Sequence, residues 1–155
     1  WIDAALDSMV MSNHDAAKCV YRHGARACTD ITGFGLLGHL VEMLKASDVD
    51  AELALEAVPV LDGAEQTVRA GILSSLQLQN VRLRRAIVNA PEAGTEPRFA
   101  LLFDPQTSGG LLAGVPAAEA ESCVRDLRAR GYWESAIIGT VTPRSGRPEM
   151  VTLRR

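Results

Sequence analysis

Apolar residues recur every three or four positions over much of the chain, which is the period of an amphipathic helix. The segments with this spacing are 2–10, 13–23, 32–47, 62–70, 78–89 and 117–130. Ser12 or Asn13 is expected to cap the second helix, and Gly24 to end it. Gly131 is expected to end the last one.

Other segments have the patterns of strands. Residues 50–57 alternate between apolar and polar side chains, whereas 99–103 and 111–115 are continuous apolar runs, which are typical of buried strands. The full set of predicted strands is 25–29, 50–57, 99–103, 111–115, 136–141 and 150–153. The segment 91–97 contains two prolines and a glycine, and it predicts a loop.

Helices and strands are mixed along the chain without strict alternation, which predicts the α+β class. We expect a mixed β-sheet with helices packed mainly on one face. The 155 residues are enough for one hydrophobic core, so residues 1–155 are predicted to form a single domain.

Composition excludes several classes of function. Hydrophobic residues make up 47% and charged residues 23%, and the net charge is −3, so the basic surface of a nucleic-acid-binding protein is not expected. The longest apolar run is too short to span a membrane. These features predict a cytoplasmic protein with no nucleic-acid or membrane partner. Because Trp1 already lies in a helical pattern, we expect the chain to be a piece of a longer protein.

The three cysteines, Cys19, Cys28 and Cys123, are odd in number and far apart in the sequence. This distribution favours reduced thiols over a disulfide framework or a zinc site. The simplest interpretation is that each is a small buried apolar residue.

The stretch TDITGFG (29–35) carries the first candidate chemistry. Its glycines let the backbone turn tightly and approach a ligand, and the following helix presents N–H groups that favour an anion. Asp30 would repel a bound phosphate unless a cation lay between them, and Mg²⁺ prefers carboxylate and phosphate oxygens. Asp30 is therefore a candidate Mg²⁺ ligand. The alternative is that Asp30 or Thr32 only caps the helix.

The stretch DPQTSGG (104–110) carries the second candidate chemistry. It lies between two predicted strands. Its polar side chains and successive N–H groups could form a nest for an anion, although an ordinary polar turn has the same composition. Ser108 has no evident activating His or Lys close by in the sequence, so it is not predicted to be a nucleophile.

Several polar residues have simpler explanations. His39 lies among leucines and is expected to be a packing histidine with a satisfied hydrogen bond. Arg82, Arg84 and Arg85 are expected to form a solvent-exposed basic face. Asn13 and Asn89 are expected only to cap a helix or to lie in a loop.

Together the two stretches are more specific than either alone. TDITGFGLLGHLVEM at 29–43 and LLFDPQTSGGLL at 101–112 resemble the C-terminal domain of selenophosphate synthetase (selenide, water dikinase), within the aminoimidazole ribonucleotide synthetase-like superfamily. The MSN at 11–13, the PVLDGAEQTVRAG at 59–71 and Asn80 also match residues expected in that family. The resemblance covers nearly the whole chain.

The resemblance implies an α+β domain that closes over an N-terminal ATP-binding domain in the same protein. That enzyme family converts ATP, selenide and water into selenophosphate, AMP and phosphate. Asp30 matches a ligand of the catalytic Mg²⁺, and the other ligands are aspartates of the N-terminal domain. The residues expected to line the nucleotide and phosphate site are Thr32, Gly33, Gly35, Thr107, Ser108 and Gly109.

The resemblance also limits what this chain does alone. None of its cysteines matches the reactive Cys or selenocysteine of the family, so no catalytic nucleophile is predicted here. Mg²⁺ and ATP are expected to need the N-terminal domain, so the isolated chain is expected to be inactive. The longer protein is expected to be a homodimer.

Two other functions remain open. A sister ATP-dependent enzyme of the same superfamily would act on another substrate. A non-catalytic, partner-binding module within a fusion would carry a degenerate site.

Overall fold

The computed structural model describes residues 1–154 and confirms the α+β class. Its α-helices are α1 (Ile2–Val10), α2 (His14–Arg22), α3 (Gly35–Ser47), α4 (Ala64–Arg69), α5 (Gln77–Asn80), α6 (Ala90–Ala93), α7 (Pro97–Leu101) and α8 (Ala120–Ala129). Its strands are β1 (Ala27–Asp30), β2 (Val49–Ala54), β3 (Leu111–Gly114), β4 (Gly139–Pro143) and β5 (Val151–Arg154). Short 3-10 helices span Leu55–Ala57, Val81–Ala86 and Ala117–Glu119.

The strands of residues 1–154 form two small sheets, whereas the sequence predicted one mixed sheet. β1 pairs antiparallel with β3. β2 lies between β4, which is antiparallel to it, and β5, which is parallel to it. Apolar patterning identifies a strand but not its partner, because pairing depends on where distant segments meet.

Helix α3 provides much of the core that supports both sheets. Its apolar stripe is buried and contacts β1 and β2. Members of this core include Leu37, Leu40, Val41, Leu44, Leu53, Phe103 and Val151. The helix runs from the region of β1 toward β2, so it holds the first residues after β1 on a rigid support.

The predicted strand at 99–103 is wrong, because this segment consists of the end of α7, up to Leu101, and a turn at 102–103. Pro97 begins α7, where its fixed φ and missing N–H favour the first turn of a helix. The ring of Phe99, in α7, lies 5.2 Å from the ring of Phe103, which is in the turn that follows the helix. A short apolar run fits a buried helix as well as a buried strand, so the pattern alone could not decide.

Smaller differences occur at other segments. The predicted strand 50–57 ends at Ala54 and continues as a 3-10 helix. The predicted helix 78–89 is α5 followed by a 3-10 helix that ends at Ala86, and the predicted loop 91–97 contains part of α6. The predicted buried strand 25–29 is β1, whose residues are only partly buried or exposed.

Other boundaries agree with the sequence. Gly24 and Gly131 follow α2 and α8 and have φ angles of 75° and 94°, which glycine adopts without strain. Within residues 1–154, no helix is both long and apolar enough to cross a lipid bilayer.

Candidate functional site

The first turn of the site joins β1 to α3. Asp30 is the last residue of β1, and its side chain is exposed. Gly35 begins α3 with a φ of 68° and is buried; a β-carbon there would lie 2.9 Å from the carbonyl oxygens of Leu102 and Asp104. Gly33, in contrast, faces open space. Gly35 therefore permits close packing, while Gly33 leaves room for a ligand.

The structure contradicts the capping alternative for Asp30 and Thr32. The N-cap position of α3 is Phe34, and no side chain caps this helix. The hydroxyl oxygen of Thr32 instead lies 3.1 Å from Nε2 of His39. His39 is 8% exposed and also lies 3.5 Å, through Nδ1, from Glu42, which confirms it as a packing histidine with a hydrogen-bond partner.

The start of α3 is only partly available to an anion. The N–H of Leu37 donates to the carbonyl of Leu102 at 2.9 Å, so this donor is occupied within the protein. An anion near Asp30 would therefore meet fewer free N–H groups than a solvent-exposed helix end provides.

The second turn, 104–110, lies between α7 and β3. Thr107 and Ser108 are exposed, and the side chain of Gln106 donates to the Asp104 carboxylate at 3.1 Å. Burial raises the pKa of Asp104, and the hydrogen bond from Gln106 partly opposes this rise. The turn thus combines an exposed hydroxyl pair with a half-buried carboxyl group.

The structure brings the two turns into direct contact. The pairing of β1 with β3 places Asp30 opposite Leu111. The N–H of Ile31 donates to the carbonyl of Gly110 at 2.9 Å, and a β-carbon on Gly109 would overlap the carbonyl oxygen of Ile31. The two stretches singled out in the sequence therefore lie side by side at one edge of the small sheet.

Two asparagines connect these turns to other parts of the chain. The Asn80 amide is buried and donates to the carbonyls of Gly33 at 2.8 Å and Phe103 at 3.0 Å. The Asn13 amide donates to the carbonyl of Gly109 at 3.0 Å. Asn13 occupies the N-cap position of α2 but makes no capping bond, so its role is to hold the second turn.

A known family of protein domains matches most of this chain. The family described as "AIR synthase related protein, C-terminal domain" matches residues 3–150. The chain belongs to this family. The superfamily resemblance drawn from the two motifs is therefore confirmed.

Three curated relatives of this AIR synthase related domain carry the same name. Proteins called "Selenide, water dikinase" from Geobacter metallireducens and Clostridioides difficile are 40% and 37% identical to it over 143 and 145 residues, each 92% of this chain. A protein of the same name from Cronobacter sakazakii is 42% identical over 153 residues, 97% of this chain. The chain spans about two fifths of the length of these relatives, 41% or 42%.

The Asp30 carboxylate lies outside the one cluster of metal-binding side chains found in the described part of this AIR synthase related domain. Across residues 1–154, Asp30 belongs to no group of three or more His, Cys, Asp or Glu side chains whose ligand atoms lie within 4.8 Å of one another. A Mg²⁺ ion at Asp30 would therefore complete its shell with phosphate oxygens, water or ligands from elsewhere, which is common for this ion.

The sequence did not reveal that three further residues lie in or next to the site. Asn13 was predicted to cap or lie in a loop, and Asp104 and Phe34 were not singled out. The ring of Phe34 is 55% exposed at the tip of the first turn and lies 5.8 Å from the His39 ring. An aromatic residue between two glycines was the available signal.

The exposed basic face predicted for Arg82, Arg84 and Arg85 is confirmed.

Replacing Asn80 with Leu is expected to destabilise the chain by about 2 kcal/mol, because the carbonyls of Gly33 and Phe103 lose a buried donor. Urea unfolding followed by circular dichroism would measure this. Gln79→Leu is the matched control. It also replaces an amide side chain with Leu, but at an exposed position, so it is expected to shift stability by less than about 0.5 kcal/mol. Equal stability of the two variants would contradict the role of Asn80.

Proposed function

We propose that this chain is the C-terminal domain of a selenophosphate synthetase, an enzyme that makes selenophosphate, AMP and phosphate from ATP, selenide and water. The observation that carries the proposal is the contact between the two turns, which gathers Asp30 and exposed polar groups at one edge. The name "Selenide, water dikinase", which the three relatives described above carry, supports the reaction.

Asp30 is proposed to hold Mg²⁺. Its exposed carboxylate at the end of β1 offers the oxygen ligands this ion prefers, and Gly33, three residues further along the same turn, faces open space. When bound, Mg²⁺ would neutralise phosphate charge during phosphoryl transfer. The contribution of Asp30 is to place a negative charge on a rigid support, because the residues that follow it are fixed by Asn80 and α3.

The remaining proposed ligand residues divide into two groups. Gly33, Thr107 and Ser108 are exposed and can contact phosphate or nucleotide atoms with backbone N–H or hydroxyl groups. Thr32, Gly35 and Gly109 act mainly through position, because Thr32 is hydrogen-bonded to His39 and the two glycines pack against backbone of the other turn. Both groups are needed to form one wall of a site.

The rest of the proposal concerns the longer protein. The chain is proposed to be one domain that packs against an N-terminal ATP-binding domain of the same cytoplasmic, homodimeric enzyme. That domain would provide further Mg²⁺ ligands and the reactive Cys or selenocysteine. The isolated chain would therefore not complete the reaction, since phosphoryl transfer needs several charges placed at once.

The proposal is tested by ³¹P nuclear magnetic resonance on the longer protein supplied with Mg²⁺, ATP and selenide. The expected result is a selenophosphate signal together with AMP and phosphate. A folded, ATP-binding protein that gives no such signal would contradict the proposal and favour a sister enzyme or a non-catalytic module. The 155-residue chain, assayed alone, is expected to give no signal.

A further inference from the structure

Helices α2 and α8 bring together three side chains that commonly bind metals. Cys19 lies on α2, His23 directly follows that helix, and Cys123 lies on α8. One potential ligand atom from each lies within 4.8 Å of the other two. The distance along the sequence between the two cysteines concealed this cluster and argued against a zinc site.

The cluster is nearly preorganised for a tetrahedral ion. In a zinc site with Zn–S bonds of about 2.3 Å, ligand atoms lie roughly 3.5–4 Å apart, so the side chains of Cys19, His23 and Cys123 need to move by about 1 Å or less. Cys19 and Cys123 are 1% and 4% exposed, while the His23 side chain is 14% exposed. The two sulfur atoms are thus shielded from solvent, and the partly exposed imidazole is the side of the cluster that a metal ion reaches from solvent.

We propose that Cys19, His23 and Cys123 bind a single Zn²⁺ ion, and that the exposed carboxylate of Asp126, which lies outside this group of three but 3.0 Å from Nε2 of His23, moves in as the fourth ligand. Two thiolates, one imidazole and one carboxylate match the ligand types and number of a closed tetrahedral zinc site. The site is separate from the two turns that carry Asp30, and the inference does not depend on the proposed enzyme activity.

Hydrogen bonds around His23 indicate which carboxylate becomes the fourth ligand. Nδ1 of His23 lies 3.1 Å from Glu119, and Nε2 lies 3.0 Å from Asp126. Glu119 also accepts a hydrogen bond from the Ser122 hydroxyl at 3.0 Å, so it is the better-anchored partner. Glu119 can keep orienting Nδ1 while Nε2 and Asp126 turn to the metal, which is the usual arrangement behind a metal-bound histidine.

The bound ion would fasten α2 to α8. The other end of α2 is already held, because the Tyr132 hydroxyl donates to the carbonyl of Ser12 at 2.7 Å and Asn13 donates to Gly109. A metal at the far end would therefore fix the helix that positions Asn13 against the second turn.

The test is a titration of the reduced, chelator-treated 155-residue chain with Co²⁺, followed by Zn²⁺, under anaerobic conditions. One equivalent of Co²⁺ is expected to give the intense visible bands of tetrahedral cobalt and a thiolate-to-cobalt charge-transfer band. Zn²⁺ is expected to displace the cobalt and to raise the melting temperature.

Three variants locate the ion. Cys123→Ser is expected to weaken the charge-transfer band, because Cys19 is then the one thiolate left in the cluster, and to bind Zn²⁺ at least about 100-fold more weakly, since loss of an outer partner alone costs ~10–100-fold. His23→Gln, at the partly exposed position, is expected to weaken binding by at least about 10-fold and covers the case in which Cys123→Ser fails to fold. Cys28→Ser is the matched control, because Cys28 is exposed and outside the cluster.

The proposal is overturned by weak, octahedral-type cobalt bands, or by uptake that His23→Gln and a folded Cys123→Ser leave unchanged. It is also overturned if Cys28→Ser removes the binding, or if the reduced chain takes up no metal.

Discussion

Replacing Asp30 with Asn in the longer protein is expected to lower selenophosphate formation by about 1000-fold, equivalent to ~4 kcal/mol in the barrier. The amide keeps the size of the side chain but removes the negative charge that the proposal assigns to Mg²⁺. Because the Asp30 side chain is exposed, the melting temperature is expected to change little. ³¹P nuclear magnetic resonance and thermal unfolding measure the two effects separately.

Asp48→Asn provides the matched control for this experiment. Asp48 follows the other end of α3, about 20 Å from its start at a rise of ~1.5 Å per residue. Its φ is 52°, a conformation that Asn also tolerates, so the change removes one charge without backbone strain. Near-normal turnover is expected for Asp48→Asn. Near-normal turnover for Asp30→Asn as well would remove Asp30 from the metal site while leaving the proposed reaction intact.

Gly109→Ala is expected to destabilise the chain by about 3 kcal/mol. A β-carbon at this position would overlap the carbonyl oxygen of Ile31, which belongs to backbone and cannot rotate away. The two turns would have to separate, and the hydrogen bond from Ile31 to Gly110 would weaken. Chemical unfolding of the 155-residue chain measures the loss.

A control variant at the neighbouring Gly110 separates the steric clash with Ile31 from the general effect of replacing Gly with Ala. A β-carbon on Gly110 would meet nothing within 4 Å, and its φ lies outside the positive range, so Gly110→Ala is expected to change stability by less than about 0.5 kcal/mol. Together the variants compare the same added methyl group at adjacent positions. If both were equally stable, the close contact between the turns would be refuted.

Much of the local structure could be predicted because it depends on local periodicity. The amphipathic stripe of α3, the alternation of β2 and the glycine ends of α2 and α8 all appear in short windows of sequence. Where a short apolar run fitted two periods, as at 99–103, the prediction was wrong. Pro97, two residues before that segment, was a local signal for a helix, and α7 begins at this proline.

The candidate site was predictable in part for a similar reason. The glycine turn after Asp30 and the polar turn at 104–110 each have a chemistry that can be read from composition. The roles of Asn13 and Asn80 could not be read in this way, because an amide has no preferred partner until the fold brings two carbonyls to it. The assignment of Asp30 to Mg²⁺ stays a prediction.

The fold class, the two stretches that carry candidate chemistry and the family that they indicate could be predicted from sequence, since periodicity and motifs are contained in short windows of the chain. The tertiary structure was needed to show that the two stretches touch, that the strands divide into two sheets, and that Cys19, His23 and Cys123 form one cluster. These features join residues up to about 100 positions apart, and packing of the whole core, rather than any local preference, sets which distant segments meet.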